Sequence, residues 1–359
     1  MLVYILLIIA VFLITPVKKI KITEGLKING LTAIFIIIFL FSALRFDVGY
    51  DYSNYYWLIE SNIKYFDDQI NRIEFLPRQL IYLSNFIGFY QFFFIVTSFL
   101  ITYFFYKTIK KHSLDKTLSV LIFVCFPLFF FMSLSVVRQY VAISLVFFGY
   151  KFIKDRKFWK YLFLILFATL IHKSAIIALP IYFLFGDFVI NKKAILFIYV
   201  LGFFSSEIIA FLITFSSERY SIYINQIGGE GGNLILLFFQ IVGLVLLPIV
   251  YNFRDKNDKE FNFYLLSFYS GLFIWASLAK FGHAGIRGGL YYIVYVILLI
   301  PKLKIKIVEY KIIRQTMLII CFLFFFINLY IGSKHKIKDA NLPYQTYFFK
   351  STEDFKSND

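Results

Sequence analysis

The chain has 359 residues, a formal net charge of +16, and a composition that is 60% apolar, 22% aromatic and only 16% charged. A soluble globular domain carries about 25% charged residues, so this balance excludes a soluble enzyme and predicts an all-α polytopic integral membrane protein. The basic excess would ordinarily point to nucleic acid, but in a membrane protein charge has to be counted side by side.

A helix needs about 20 apolar residues to cross the hydrocarbon layer, within a range of roughly 17–25. In chain order the sequence predicts about twelve such spans: 1–16, 28–44, 91–107, 117–133, 136–152, 157–172, 174–190, 194–213, 233–252, 261–279, 286–301 and 312–331. The first, "MLVYILLIIAVFLIT", lacks a basic leader and a small-residue cleavage site, so it reads as a span and not as a removable signal. Cys125 and Cys321 both lie inside apolar runs and read as small buried hydrophobes, not as a disulfide framework. The wealth of Phe, Tyr, Ile, Lys and Asn reads as AT-rich coding bias and hence a bacterial source.

Lys and Arg collect in cytoplasmic loops. The loops containing "KKIKITEGLK", "KTIKKHSLDK", "KFIKDRKFWK", "NKK", "RDKNDKE" and "KLKIKIVEYKIIR" hold 23 Lys/Arg and, with Asp187 beside "NKK", 8 Asp/Glu, a net of +15. The opposite set holds 14 and 13, a net of +1. The basic set is therefore assigned to the cytoplasm and both termini to the outside, with anionic lipid head groups as the partner of the positive charge and no role for nucleic acid. Residues 71–90, "NRIEFLPRQLIYLSNFIGFY", are nearly long enough to cross. If they did, every later loop would invert. Leu76, Leu80, Leu83 and Ile87 share one helical face and Pro77 suits a first turn, so the segment is read as an amphipathic or re-entrant helix at the outer interface. No internal repeat and no soluble domain is evident. The organisation expected is one multi-span domain, 1–331, with an outer tail, 332–359.

The unusual polar groups near span ends then fall on the outer side. "ALRFDVGYDYSNYYW" supplies Arg45, Asp47, Gly49, Asp51, Tyr52 and Tyr55; "MSLSVVRQYVAIS" supplies Arg138 and Gln139; "LIHKSAI" supplies His172, Lys173 and Ser174. Further on, "SSERYSIYINQIGGEGGN" supplies Arg219, "AKFGHAGIRGGLYY" supplies His283, Arg287 and Tyr291, and "NLPYQTYFF" supplies Tyr344. A charged group at mid-membrane depth costs about 2.5–3.5 kcal/mol on insertion scales, so such groups persist where they pair or line a polar cavity. The competing reading of Arg138 is snorkelling to the head groups. That of Asp47 and Asp51 is local pairing with Arg45 and Lys64, and that of His172 is an interfacial histidine.

A guanidinium presents a planar fork to phosphate oxygens and stays charged when desolvated. Several at one membrane edge suit a lipid-linked diphosphate, whose leaving group gains charge as its bond breaks. A nearby imidazole or carboxylate can take the proton of an attacking hydroxyl, and tyrosines and Trp57 suit sugar faces. Walker A, GxGxxG, HExxH and Cys/His metal signatures are all missing, so no metal and no cofactor is expected. Glu207 is the one acid inside a predicted span, and it either belongs to a coupling path or marks a broken helix.

The ordered series "LRFDVGYDYSNYYWLIE", "SVVRQYVAISLVFFGY", "FATLIHKSAIIALP", "IRGGLYYIVYVILLIP" and "NLPYQTYFF", from about residue 40 to 350, resembles the EpsG family, a branch of the Wzy-type bacterial polysaccharide polymerases. The resemblance implies joining of oligosaccharide repeat units carried on undecaprenyl diphosphate at the outer face of the plasma membrane, in exopolysaccharide, capsule or O-antigen synthesis. It implies Arg45, Arg138 and Arg287 as diphosphate ligands and His172 or Asp51 as base, with a flippase and a chain-length regulator as possible partners. The large outer loops of many O-antigen polymerases are missing here. Two other activities fit the same residues: a flippase for lipid-linked oligosaccharide, and another outer-face polyprenyl-phosphate-dependent glycosyltransferase or ligase. A membrane acyltransferase is a weaker fourth reading.

Overall fold

In a computed structural model of the chain, the described residues are 1–23, 26–60, 67–186, 192–216, 236–244, 247, 258–281, 283–303, 310–332, 340–348 and 350. They are mostly helical, as an all-α membrane protein requires. They pack as two compact units.

The first unit comprises residues 1–150, 162–176 and 314–359. Its first nine helices are α1 (Leu2–Ile14), α2 (Gly30–Ala43), α3 (Tyr52–Glu60), α4 (Asp67–Asn71), α5 (Phe75–Ile87), α6 (Gln91–His112), α7 (Lys116–Cys125), α8 (Phe130–Ser135) and α9 (Val137–Phe148), and most of Phe158–Thr169 and of Tyr310–Gly332 belongs to it as well. The polar residue before each apolar run starts several of them. Asn29 accepts from the amide of Thr32 (2.8 Å) and Asp115 from that of Leu118 (3.0 Å), satisfying first-turn donors that have no partner within the helix. The apolar run expected at 117–133 is interrupted. Pro127 cannot donate and drives Phe126 to an extended conformation (ψ 131°), so α7 stops and α8 begins afresh. The segment expected to lie at the interface contains α5, with Pro77 in its first turn and a left-handed Gly88 (φ 70°) at its end.

Two short ribbons fix the chain between helices. Ile20–Thr23 pairs antiparallel with Leu26–Ile28. Arg45–Phe46 pairs antiparallel with Gln345–Thr346, Arg45 opposite Thr346 and Phe46 opposite Gln345. The tail is therefore joined to the segment that follows α2. The amide of Gly49 donates to Ala340 (2.6 Å), that of Tyr347 to Leu44 (3.0 Å), and the hydroxyls of Tyr4 and Tyr344 to Asn341 (2.8 Å) and Phe41 (2.7 Å). Gly49 is required twice over. Its φ is +98°, and a Cβ there would lie 2.0 Å from the carbonyl oxygen of Leu134.

The second unit comprises 151–161 and 177–313. A 3-10 helix, Lys173–Leu184, with Pro180 inside it, runs from the first unit into the second. Lys192–Ser216 is continuous through Glu207, so that residue does not break its helix. Lys259–Ser277 packs closely on His283–Ile293. A Cβ on Gly289 would meet the carbonyl oxygen of Gly271 at 2.7 Å, which is why glycine stands at that contact. Lys302 bridges Asp258 and Glu260, at 2.8 Å each.

Among the described residues, Gln91–His112 alone is a single helix long and apolar enough to cross a membrane, and Ala284–Ile293 with Val296–Lys302, bent by 44°, qualifies as one broken span. Of the other expected spans, some coincide with shorter apolar helices, such as Leu2–Ile14 and Gly30–Ala43, those at 194–213, 261–279 and 312–331 coincide with Lys192–Ser216, Lys259–Ser277 and Tyr310–Gly332, and that at 233–252 falls largely outside the described residues. Every ion pair among the described residues joins two members of one predicted side. Glu74 with Arg138 and His172 belongs to one set; Lys154, Lys302, Asp258 and Glu260, Lys157 with Asp155, and Arg314 with Asp115 belong to the other.

Candidate functional site

Glu74 is the centre of a polar cluster in the first unit. It stands immediately before α5, its side chain turned away from the helix's first amides, and the amide of Leu76 in the first turn donates to the carbonyl of Leu170 (3.0 Å) just beyond the Phe158–Thr169 helix. That bond sets residue 74 beside residue 172. His172 Nδ1 lies 3.0 Å from Glu74 Oε1, and the amide of Lys173 donates to the same oxygen at 3.3 Å. The imidazole and the carboxylate are in close contact, although the angle between them falls short of a full hydrogen bond. The other carboxylate oxygen accepts from Nη1 of Arg138, in the first turn of α9. Arg138 Nε donates to the hydroxyl of Tyr55 (2.7 Å).

The cluster is shaded without being closed. The side chain of Glu74 is 8% exposed, that of His172 19% and that of Arg138 26%. Burial alone would raise the carboxyl of Glu74. The contact with His172 and the charge of Arg138 overcome it and hold the group down at about 2. Burial pushes the Tyr55 hydroxyl up to about 12, against the pull of Arg138 and with the charge of Asp51 acting in the same sense as burial. Asp51 is thus within electrostatic reach. Arg138 also forms one end of an apolar cavity of about 280 Å³ between α5, α6, α9 and the end of the Phe158–Thr169 helix. A guanidinium carries five N–H donors. Two are engaged by Tyr55 and Glu74, and the rest take no partner among the described residues.

The structure thus brings Arg138, Tyr55, His172 and Lys173 together, with Asp51 near. Arg45 stands differently. It is 1% exposed and donates to Val48 O (3.1 Å), Ser42 O, Ser42 Oγ (3.2 Å), Ser98 Oγ (3.3 Å) and Leu134 O (3.4 Å). Its guanidinium also lies over the rings of Phe94 (5.0 Å) and Tyr52 (5.9 Å). Tyr52 stacks on Phe94 (4.1 Å) and donates to Gln91 (2.9 Å), so it is core. Asp47 and Gln139 are buried and Ser174 is half-buried. Tyr344 packs on Phe41 (4.2 Å) and pins the tail. Exposed Arg287, buried Tyr291 and His283, whose side chain is not among those described, belong to the second unit. Arg219 and Lys64 lie outside the described residues.

Sequence reasoning missed Glu74. The signal was present: it is the only acid in residues 71–90, it directly precedes the apolar face of an amphipathic helix, and Pro77 marks that helix's first turn. Among the described residues no group of three or more His, Cys, Asp or Glu side chains could hold a metal ion.

These features are those of a mostly helical protein, consistent with an all-α membrane protein, whose polar cluster is gathered where the start of α5 meets the ends of apolar helices. The sequence model of the EpsG family matches residues 29–346, and the chain belongs to that family, a family of Wzy-type polysaccharide polymerases. No curated protein matches the chain, and no solved structure does.

Proposed function

We propose that the protein polymerises polyprenyl-diphosphate-linked oligosaccharide repeat units at the outer face of the bacterial plasma membrane, releasing undecaprenyl diphosphate. The observation that carries this reading is the Arg138–Glu74–His172–Tyr55 cluster, a fixed guanidinium beside a carboxylate-held imidazole. The acceptor hydroxyl oxygen attacks the anomeric carbon of the donor sugar, the carbon–oxygen bond to the diphosphate breaks, and the electron pair leaves on the diphosphate. Arg138 offers its open N–H donors to that growing charge. His172 takes the hydroxyl proton, and Glu74 orients the ring and stabilises the imidazolium that forms. A carboxyl near pKa 2 is too weak a base for the task, so His172 is preferred to Glu74, and Asp51 stands as the second candidate.

The membrane reading accompanying this function has twelve spans and both termini outside. Support comes from the ion pairs, each confined to one predicted side, and from the pairing of Arg45–Phe46 with Gln345–Thr346, two segments assigned to the outside. Arg45, buried among neutral oxygens and rings, serves in this reading as a brace and not as a diphosphate ligand.

The test is the product profile of cells carrying Arg138→Ala or His172→Ala at normal protein level. Polymer should vanish while single lipid-linked units collect on the outer face. Units trapped on the inner face would indicate a flippase, a single-transfer product would indicate another transferase, and polymer of normal length would overturn the reading.

A further inference from the structure

The apolar cavity beside Arg138 has one polar end. Its lining contains two polar side chains, Arg138 and Thr97, and the Thr97 hydroxyl donates to its own helix, at Phe93 O (2.8 Å) and Phe94 O (3.3 Å). The guanidinium is therefore the cavity's one functional polar group. Val96, Leu100 and Phe104 line it from α6, and Val141 and Leu145 continue the wall of α9 below Arg138. The two helices pack side by side. Their starts lie together, because Arg45 contacts Phe94 and Ser98 near one and Leu134 just before the other. From residue 138 to 145 a helix advances about 10 Å. An extended isoprene unit has four carbon–carbon bonds of about 1.5 Å and spans roughly 5 Å, so the wall matches about two such units.

We infer that this cavity holds the first isoprene units of the lipid diphosphate, threading the prenyl chain between α6 and α9 while Arg138 takes the phosphate end. The inference rests on the polymerase reading above and adds what the enzyme recognises in its carrier: the segment of chain next to the diphosphate. A site with a cation at one end and hydrocarbon walls along its length fits an anionic head on an apolar chain. A sugar, with hydroxyls on its whole rim, would leave those hydroxyls without partners against these walls. Recognition limited to about two units makes a 15-carbon prenyl diphosphate a full ligand for the groove.

The test uses the purified full-length protein and a 15-carbon prenyl diphosphate with a photoactivatable group in its second isoprene unit. Labelling should fall on peptides holding Val96–Phe104 and Val141–Leu145. It should be competed by unlabelled prenyl diphosphate and not by a tenfold excess of phosphatidylglycerol. Leu100→Trp, which fills the half-buried wall, should cut labelling at least tenfold, and the smaller Leu100→Phe should cut it partly, guarding against misfolding of the first variant. Labelling elsewhere, labelling that both variants leave unchanged, or equal competition by phosphatidylglycerol would overturn the inference. The polymerase reading falls separately: if Arg138→Ala leaves polymer intact, that reading fails, whereas loss of polymer with label found elsewhere removes the groove alone.

Discussion

Two arginines lie on either side of one aromatic group and have opposite surroundings. Arg45 rests on Phe94 and Tyr52, and Arg138 is bonded to Tyr55, whose ring stacks on Phe93 (4.6 Å). Arg45 is enclosed, and its donors meet carbonyl and hydroxyl oxygens of Ser42, Val48, Ser98 and Leu134, which ties the end of α2 to α6 and α8. Arg138 is partly open, is anchored by a carboxylate, and faces an apolar cavity. The difference lies in what surrounds the side chain. On the reading proposed above, the neutral oxygens and rings around Arg45 make it a structural joint, whereas the carboxylate at one edge of Arg138 orients it and leaves the rest of its fork for a ligand.

Replacing each arginine by Ala and normalising polymer to folded protein would break this contrast if it is wrong. Arg138→Ala should lower polymer per folded molecule by about 100-fold or more, the scale of a lost transition-state donor, with little change in the amount of protein in the membrane. Arg138→Lys should recover little, because a point charge cannot reproduce the fork. Arg45→Ala should do the reverse. It leaves several buried acceptors without donors, each costing about 1–3 kcal/mol, so folded protein in detergent extracts should fall about tenfold while the activity of what survives changes less than threefold. Equal loss per molecule in both variants would return Arg45 to the active site.

Glu74 sharpens the comparison next, since it is what makes Arg138 unlike Arg45. Glu74→Gln keeps the shape and removes the charge. Polymer per molecule should drop by about tenfold. The acid limb of stability gives an independent check. An unfolded glutamate titrates near about 4.3, and in the fold Glu74 is held at about 2. Its contribution is therefore complete above the unfolded value and is lost as pH falls through the interval from about 4 to about 2. Wild-type unfolding temperature should decline across that interval, and the Gln variant should decline less. Parallel declines would show that another group titrates there.

The same contrast explains what could and could not be read from the sequence. Apolar runs announced the helices, and α1, α2, α5, α6 and α9 fall where the apolar pattern put them, because hydrocarbon patterning is a local property of the chain. Breaks such as Phe126–Phe129 are local too, since Pro127 stands in the sequence, yet composition over twenty residues averages them away. The membership of the EpsG family was legible in the order of five short motifs. The surroundings of the arginines were not. Arg45 and Arg138 look alike in sequence, each a lone cation at the end of an apolar stretch, and what tells their environments apart includes residues 50 to 90 positions away, Ser98 and Leu134 for one and Glu74 and Tyr55 for the other. Glu74 was hidden for the same reason, because its partners at 138 and 172 are distant in the chain. Tyr344, a substrate-binding candidate in the sequence, meets Phe41 and Tyr4 through a tail that returns across almost the whole sequence.

Tyr344 also gives the smallest predicted effect. Its hydroxyl donates to the carbonyl of Phe41 (2.7 Å), in the last turn of α2, and its neighbours Gln345 and Thr346 pair with Phe46 and Arg45. Tyr344→Phe removes the hydrogen bond and keeps the ring packing, so it should cost about 1 kcal/mol of stability and leave polymer per folded molecule unchanged. Tyr55→Phe deletes one hydroxyl as well, but that hydroxyl positions Arg138 (2.7 Å), and its effect should appear in activity, by a few-fold, ahead of stability. The two tyrosines thus repeat the division between the two arginines at a smaller scale. If Tyr344→Phe lowered activity without lowering the unfolding temperature, the tail would belong to the reacting site, and the separation drawn between brace and site would have to be moved.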